Sequence, residues 1–144
     1  LDLNTNPSAE PAKGSLWPAE PLKDVEVDLP PGLIGDANGF DRCAIADLAN
    51  GKVGGAVPLC SPSSQVGVTY VRSPAPVHML YGPLPVFNLD PPPGVAARFG
   101  FNFDGVVTAI DATVRGGHGH GYGVTASVHD ASEGIGVVGS RLTL

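Results

Sequence analysis

Between Asp24 and Leu29 the chain alternates strictly, Asp-Val-Glu-Val-Asp-Leu, and then stops at Pro30-Pro31-Gly32. A period of two puts Val25, Val27 and Leu29 on one side of an extended segment and the acidic residues on the other, so this stretch predicts a half-buried strand. Gln65 to Val71 predicts a second, with Val66, Val68 and Tyr70 set against Gly67, Thr69 and Val71. A Pro-broken connection follows through Pro74, Pro76, Pro83 and Pro85, and a short strand is expected at Val86-Phe87-Asn88-Leu89. Pro91-Pro92-Pro93 then forces a stiff segment that cannot donate to a sheet. Beyond it, Ala96–Phe103, Val106–Arg115, Tyr122–Asp130 and Val137–Leu144 are rich in Val, Thr and Phe and separated by Gly-containing turns. Runs of this kind at a spacing of about ten residues mark an antiparallel meander in a sandwich or open barrel.

Only Phe40 to Asn50 carries a helical pattern. Asp41 would cap it, Ala44, Ile45 and Leu48 share a face, and Asn50-Gly51 ends it. Residues 1–22 carry Pro7, Pro11 and Pro18 among polar residues, which predicts an extended N-terminal arm with Trp17 as its anchor to the body. The expected organisation is therefore an arm over 1–22 and a β-sandwich domain over 23–144. The fold class is all-β, an antiparallel sandwich or open barrel with long Pro/Gly-rich loops and at most one short helix.

Composition agrees with this class and removes two others. Twenty Gly and 15 Pro in 144 residues are too many for a helical bundle. An apolar fraction of 42%, with only 15% charged residues, is too hydrophobic for a disordered chain. The net charge of −6 and eight scattered basic residues leave no cluster to replace the counterions of a polyanion, so nucleic acid is excluded as a partner. Apolar stretches such as Gly105 to Ile110 fall far short of a membrane helix, so no membrane insertion is expected. The chain opens Leu-Asp-Leu-Asn-Thr-Asn without Met or a basic leader and ends Ser-Arg-Leu-Thr-Leu, which predicts an excised or processed part of a longer protein.

Cys43 and Cys60 enclose sixteen residues that include Gly51, Gly54, Gly55 and Pro58. A bridge between them would remove roughly 3 kcal/mol of unfolded-state entropy on the chain-entropy model. Two buried free thiols are the alternative.

From Lys23 onward the sequence resembles a module of large secreted or surface-attached bacterial proteins, many of them actinobacterial. The resemblance rests on Lys23 to Leu33, Arg42-Cys43, Cys60 to Gly67 and Leu84 to Leu89. It continues through Pro91 to Phe101, Ile110 to Arg115 and Val137 to Leu144. It implies an extracellular location and a Cys43–Cys60 disulfide, and it brings no catalytic residue and no cofactor. The sequence departs from the family's pattern at Gly116 to Gly123, a hairpin tip rich in His and Gly.

That tip holds the one constellation with a plausible ligand set. In an extended segment His118 and His120 share a side, and His129 approaches across the hairpin, which gives imidazoles of the kind zinc, copper or nickel prefer. A glycine after each of His118 and His120 makes a poor frame, and the simpler interpretation is a solvent-exposed turn. His78 lies in the Pro-rich connection. Carboxylates at Asp90, Asp104, Asp111, Asp130 and Glu133 could serve a hydrolase only at a defined separation across a cleft. Asp111, within an apolar run, needs Arg98 or Arg115 as a partner, so a structural ion pair is expected there. No Ser elbow and no phosphate-cradling loop occurs.

Three functions follow in order. The first is a non-enzymatic extracellular structural or adhesive module of a bacterial surface or filament protein. It would associate with other copies or neighbouring modules, strand addition being one route. The second is a module binding surface glycan or metal through Tyr70, Tyr81, Tyr122 or the His tip. The third is a carboxylate-based hydrolase.

Overall fold

The computed structural model describes residues 1–5, 7–10, 15–18, 20–32, 35–50, 59–74, 80–103, 105–116, 122–131 and 136–144, with the side chains of 7–10 and 15–17 left aside. Ten strands run in chain order: β1 (Asp2–Asn4), β2 (Pro7–Glu10), β3 (Ser15–Pro18), β4 (Val25–Asp28), β5 (Gln65–Arg72), β6 (Leu80–Leu89), β7 (Ala97–Phe103), β8 (Val106–Arg115), β9 (Gly123–Val128) and β10 (Gly139–Thr143). Helix α1 spans Ile45–Ala49. Eight of the strands form one antiparallel sheet in the order β1-β10-β5-β6-β7-β8-β9-β4, curled into a half-barrel, while β2 and β3 form a separate hairpin. The all-β class holds, and its open-barrel form is the one adopted, since a single sheet curls on itself.

The arm is not merely extended. Its first residues pair with β10, in the register Asp2↔Arg141 and Asn4↔Gly139, so the N-terminal strand closes one side of the sheet. Strand β10 in turn crosses back to pair with β5, and the meander proper covers β5 to β9. The expected connection through Pro83 and Pro85 is instead strand, because β6 pairs with β7 only over Phe87–Leu89. Both prolines thus fall where the strand is paired on the β5 side alone, the setting in which a missing N–H is tolerated.

Two apolar clusters hold the sheet from opposite faces. On the convex face Cys43, Leu48, Cys60, Phe87 and Leu89 pack together, with Val107 against them. Gly100 lies beneath this cluster, where a methyl group would stand 2.6 Å from Leu89 Cδ1, so the helix reaches the sheet only because that side chain is missing. Cys43 and Cys60 are disulfide-bonded, with Cα atoms 5.3 Å apart. The helix is shorter than its pattern suggests and is capped at Ala44 without a side-chain bond. Asp41, expected as the cap, instead accepts a hydrogen bond from Ser63 Oγ at 2.5 Å. Of the three residues expected on one helical face, Leu48 is buried, whereas Ala44 and Ile45 are exposed.

On the concave face Val71, Val86, Phe101, Phe103 and Ile110 form the second cluster. Tyr81 meets Phe103 edge-on there, with ring centroids 4.9 Å apart.

Candidate functional site: an open apolar trough

The concave face forms a trough of about 1060 Å³. Alternation along each strand builds it. Strand β7 supplies Ala97, Phe99, Phe101 and Phe103, and β8 supplies Val106, Thr108, Ile110, Ala112 and Val114. From β9 come Val124, Ala126 and Val128, and from β4 and its end Val25, Val27 and Leu29. Leu142 of β10, Leu3 of β1 and Leu1 just before it complete the other side. The pairing carries one stripe into the next, as in Phe99↔Ile110, Val114↔Val124 and Val25↔Val128. Because side chains on paired residues point to the same face, this register makes the lining continuous from one sheet edge to the other.

Strand β5 obeys the alternation only in part. Its pairing with β6 slips twice, between Gln65 and Gly67 and between Thr69 and Val71, so Val66, Thr69 and Val71 face the trough and Tyr70 faces away. The second slip contains the cis Gly82–Pro83 peptide bond.

The end of β6 is covered by the segment Asp36–Asp41. Asn88, 1% exposed, donates through Nδ2 to the carbonyls of Ala37 (2.9 Å), Asp41 (3.3 Å) and Phe40 (3.4 Å), and the Cys43 amide donates to the Asn88 carbonyl at 2.8 Å. This clamp sets Phe40 at one mouth of the trough. Register puts Leu1, Val114, Tyr122 and Leu144 at that same mouth, and all five side chains are about half exposed or more. Asp36 is the only acidic or basic side chain among the described lining residues.

Outside the cluster around Leu48 the convex face carries polar side chains, several of them in ion pairs. Arg98 grips Asp111 in a fork, Nε to Oδ1 at 2.6 Å and Nη2 to Oδ2 at 2.7 Å, so Asp111 has the structural partner it requires. Arg115 donates to the Leu29 carbonyl and lies 3.2 Å from Asp28, which also accepts from Thr125 Oγ1. Arg141 holds Asp2 at 2.7 Å, and this hydrogen bond draws the Asp2 carboxyl below its usual range despite slight desolvation.

His118 and His120, like His78, Asp104 and Glu133, lie outside the described residues, as does the side chain of Trp17. His129 stands just beyond the end of β9, exposed, with Nδ1 3.5 Å from Asp24 Oδ1. The connection bearing His118 and His120 joins β9 at its opposite end, roughly 20 Å away along the strand. No cluster of three or more His, Cys, Asp or Glu suited to a metal ion occurs among the described residues. No helix among them is long and apolar enough to cross a membrane.

In comparisons with protein families, curated proteins and solved structures, nothing matches this chain.

Proposed function

We propose that the chain is a non-enzymatic extracellular structural module, of the kind found in bacterial surface proteins, that completes its core by seating a second copy over the open trough. The observation that carries this is the trough itself. An apolar face rimmed by exposed Leu1, Phe40, Val114, Tyr122 and Leu144 marks an association site. The lining is mainly Val, Leu, Ala and Phe, the composition of a protein core, with Asp36 its one charged described side chain and no described Lys or Arg to receive an anionic headgroup. A symmetric pair meets the same patch on both sides, which an apolar face satisfies without charge matching. The Cys43–Cys60 disulfide fits the oxidising setting that this reading requires.

An environment-sensitive apolar dye tests the occupant. Dye fluorescence per chain is expected to fall as protein concentration rises, because a second copy displaces the dye from the trough. Fluorescence per chain that stays constant while the dye remains bound would overturn the second copy and point to a small apolar ligand instead.

A further inference from the structure

Behind the trough, on the convex face of β1, β10 and β5, lies a polar hollow of about 400 Å³. The register Asp2↔Arg141↔Tyr70 and Asn4↔Gly139↔Arg72 sets out its members as two cross-strand rows. Gly139 opens it: a methyl group there would stand 3.1 Å from Asn4 Oδ1 and 3.7 Å from Arg72 Nη1. Tyr70 has its ring packed on Gly82, where a methyl group would come within 2.8 Å of Tyr70 Cδ1, so the ring is seated beside the hollow. The two guanidiniums differ in their commitments. Arg141 is engaged by Asp2, with Nε and Nη2 donating at 2.7 and 3.3 Å. The Arg72 side chain makes no hydrogen bond or ion pair among the described residues, and it is exposed.

We infer that this hollow is a binding site for a carboxylate-bearing sugar. An unpaired guanidinium presents a fork of N–H donors that matches a carboxylate in a bidentate manner. Asn4 adds an amide that can donate to and accept from ring hydroxyls. Tyr70 offers an apolar ring with a polar tip, the amphipathic surface suited to a sugar's C–H face. Arg72, Arg141 and Asp2 sum to one positive charge in the hollow, which favours a single carboxylate over a neutral ring despite the chain's net charge of −6, because charges beyond about 10 Å are screened at ordinary ionic strength. The site is independent of the trough and lies on the opposite face of the same strands, so it remains accessible when two copies meet.

The test is a titration of the full 144-residue chain, followed by amide NMR shifts, with glucuronate, glucose and acetate as probes. Glucuronate is expected to shift the amides of β1, β10 and β5 and to bind about tenfold more tightly than glucose or acetate. Arg72→Gln and Tyr70→Ala should each weaken glucuronate by about tenfold, and Arg72→Gln should leave the thermal midpoint in place, since its side chain is exposed. Raising salt should weaken glucuronate further. Acetate binding as tightly as glucuronate would remove the sugar from the proposal, and glucuronate binding that survives Arg72→Gln, or no binding at all, would overturn the site.

Discussion

Asn88 is the residue on which one mouth of the trough depends. Its side-chain amide donates to three carbonyls of the segment Asp36–Asp41, and its own carbonyl receives the Cys43 amide. Truncation would remove a buried donor that three carbonyls share, so Asn88→Ala is expected to lower stability by about 2 kcal/mol, read from urea unfolding. An unchanged midpoint would mean that the segment is held by other contacts. Asp2 gives a second residue-level expectation. Its carboxyl is drawn below the usual range by Arg141, so the ion pair's contribution is fully present above about pH 4 and is lost as pH falls through the lowered value. Protection of the Leu142 amide, which donates to the Leu1 carbonyl, should therefore fall in acid before that of the central strands. Loss of protection in all strands together would contradict a local role for Asp2. At this level the sequence was informative where chemistry is local: an Asp within an apolar run demanded a partner, and Arg98 provides it. Asn88 was silent, because its partners are distant backbone carbonyls that no side-chain pattern announces.

Among the elements, period-two alternation located β4 and β5 and placed Val25, Val27 and Leu29 on the trough side, and runs rich in Val, Thr and Phe between Gly-containing turns located β7 to β10. It failed where one residue is out of step. The slip at Val66 exchanges the faces of Val68 and Tyr70 relative to a regular strand, and nothing in the local composition marks it. Proline misled in β6, since its cost depends on whether a neighbour needs the N–H, which is a property of the sheet and not of the strand. The helix is a case of tertiary support. Five residues are too short to persist alone, and α1 is held by Leu48 in the convex cluster, by Asn102 donating to its carbonyl, and by the disulfide one turn away. Replacing both Cys43 and Cys60 by Ser should cost roughly 3 kcal/mol and expose Leu48, with denaturant unfolding as the measure. A loss below roughly 0.5 kcal/mol would show that the cluster holds the loop without the bridge.

For the whole molecule, the class was legible and the closure was not. Alternating strands separated by Gly turns fit a sandwich and an open barrel equally well. What decides between them is the pairing of β10 with β5 and β1, a contact between chain ends that local patterns do not encode. The apolar stripe of each strand could likewise be read off one by one. That the stripes join into one face emerges only from the register. The polar hollow was less legible still, since it is assembled from residues near both ends of the chain and from a glycine whose absent side chain makes the space.

The trough leads to a definite statement about association. Val114 lies at its mouth, 61% exposed, so a charge there costs an isolated chain little and a covered one a great deal. Sedimentation equilibrium of the parent chain and Val114→Glu, over roughly 1 to 100 μM, is the measurement that bears on it most directly. The parent is expected to shift from monomer to dimer across that range, and Val114→Glu to remain monomeric with an unchanged thermal midpoint. A parent chain that stays monomeric throughout, or a Val114→Glu variant that pairs as readily as the parent, would contradict a second copy in the trough.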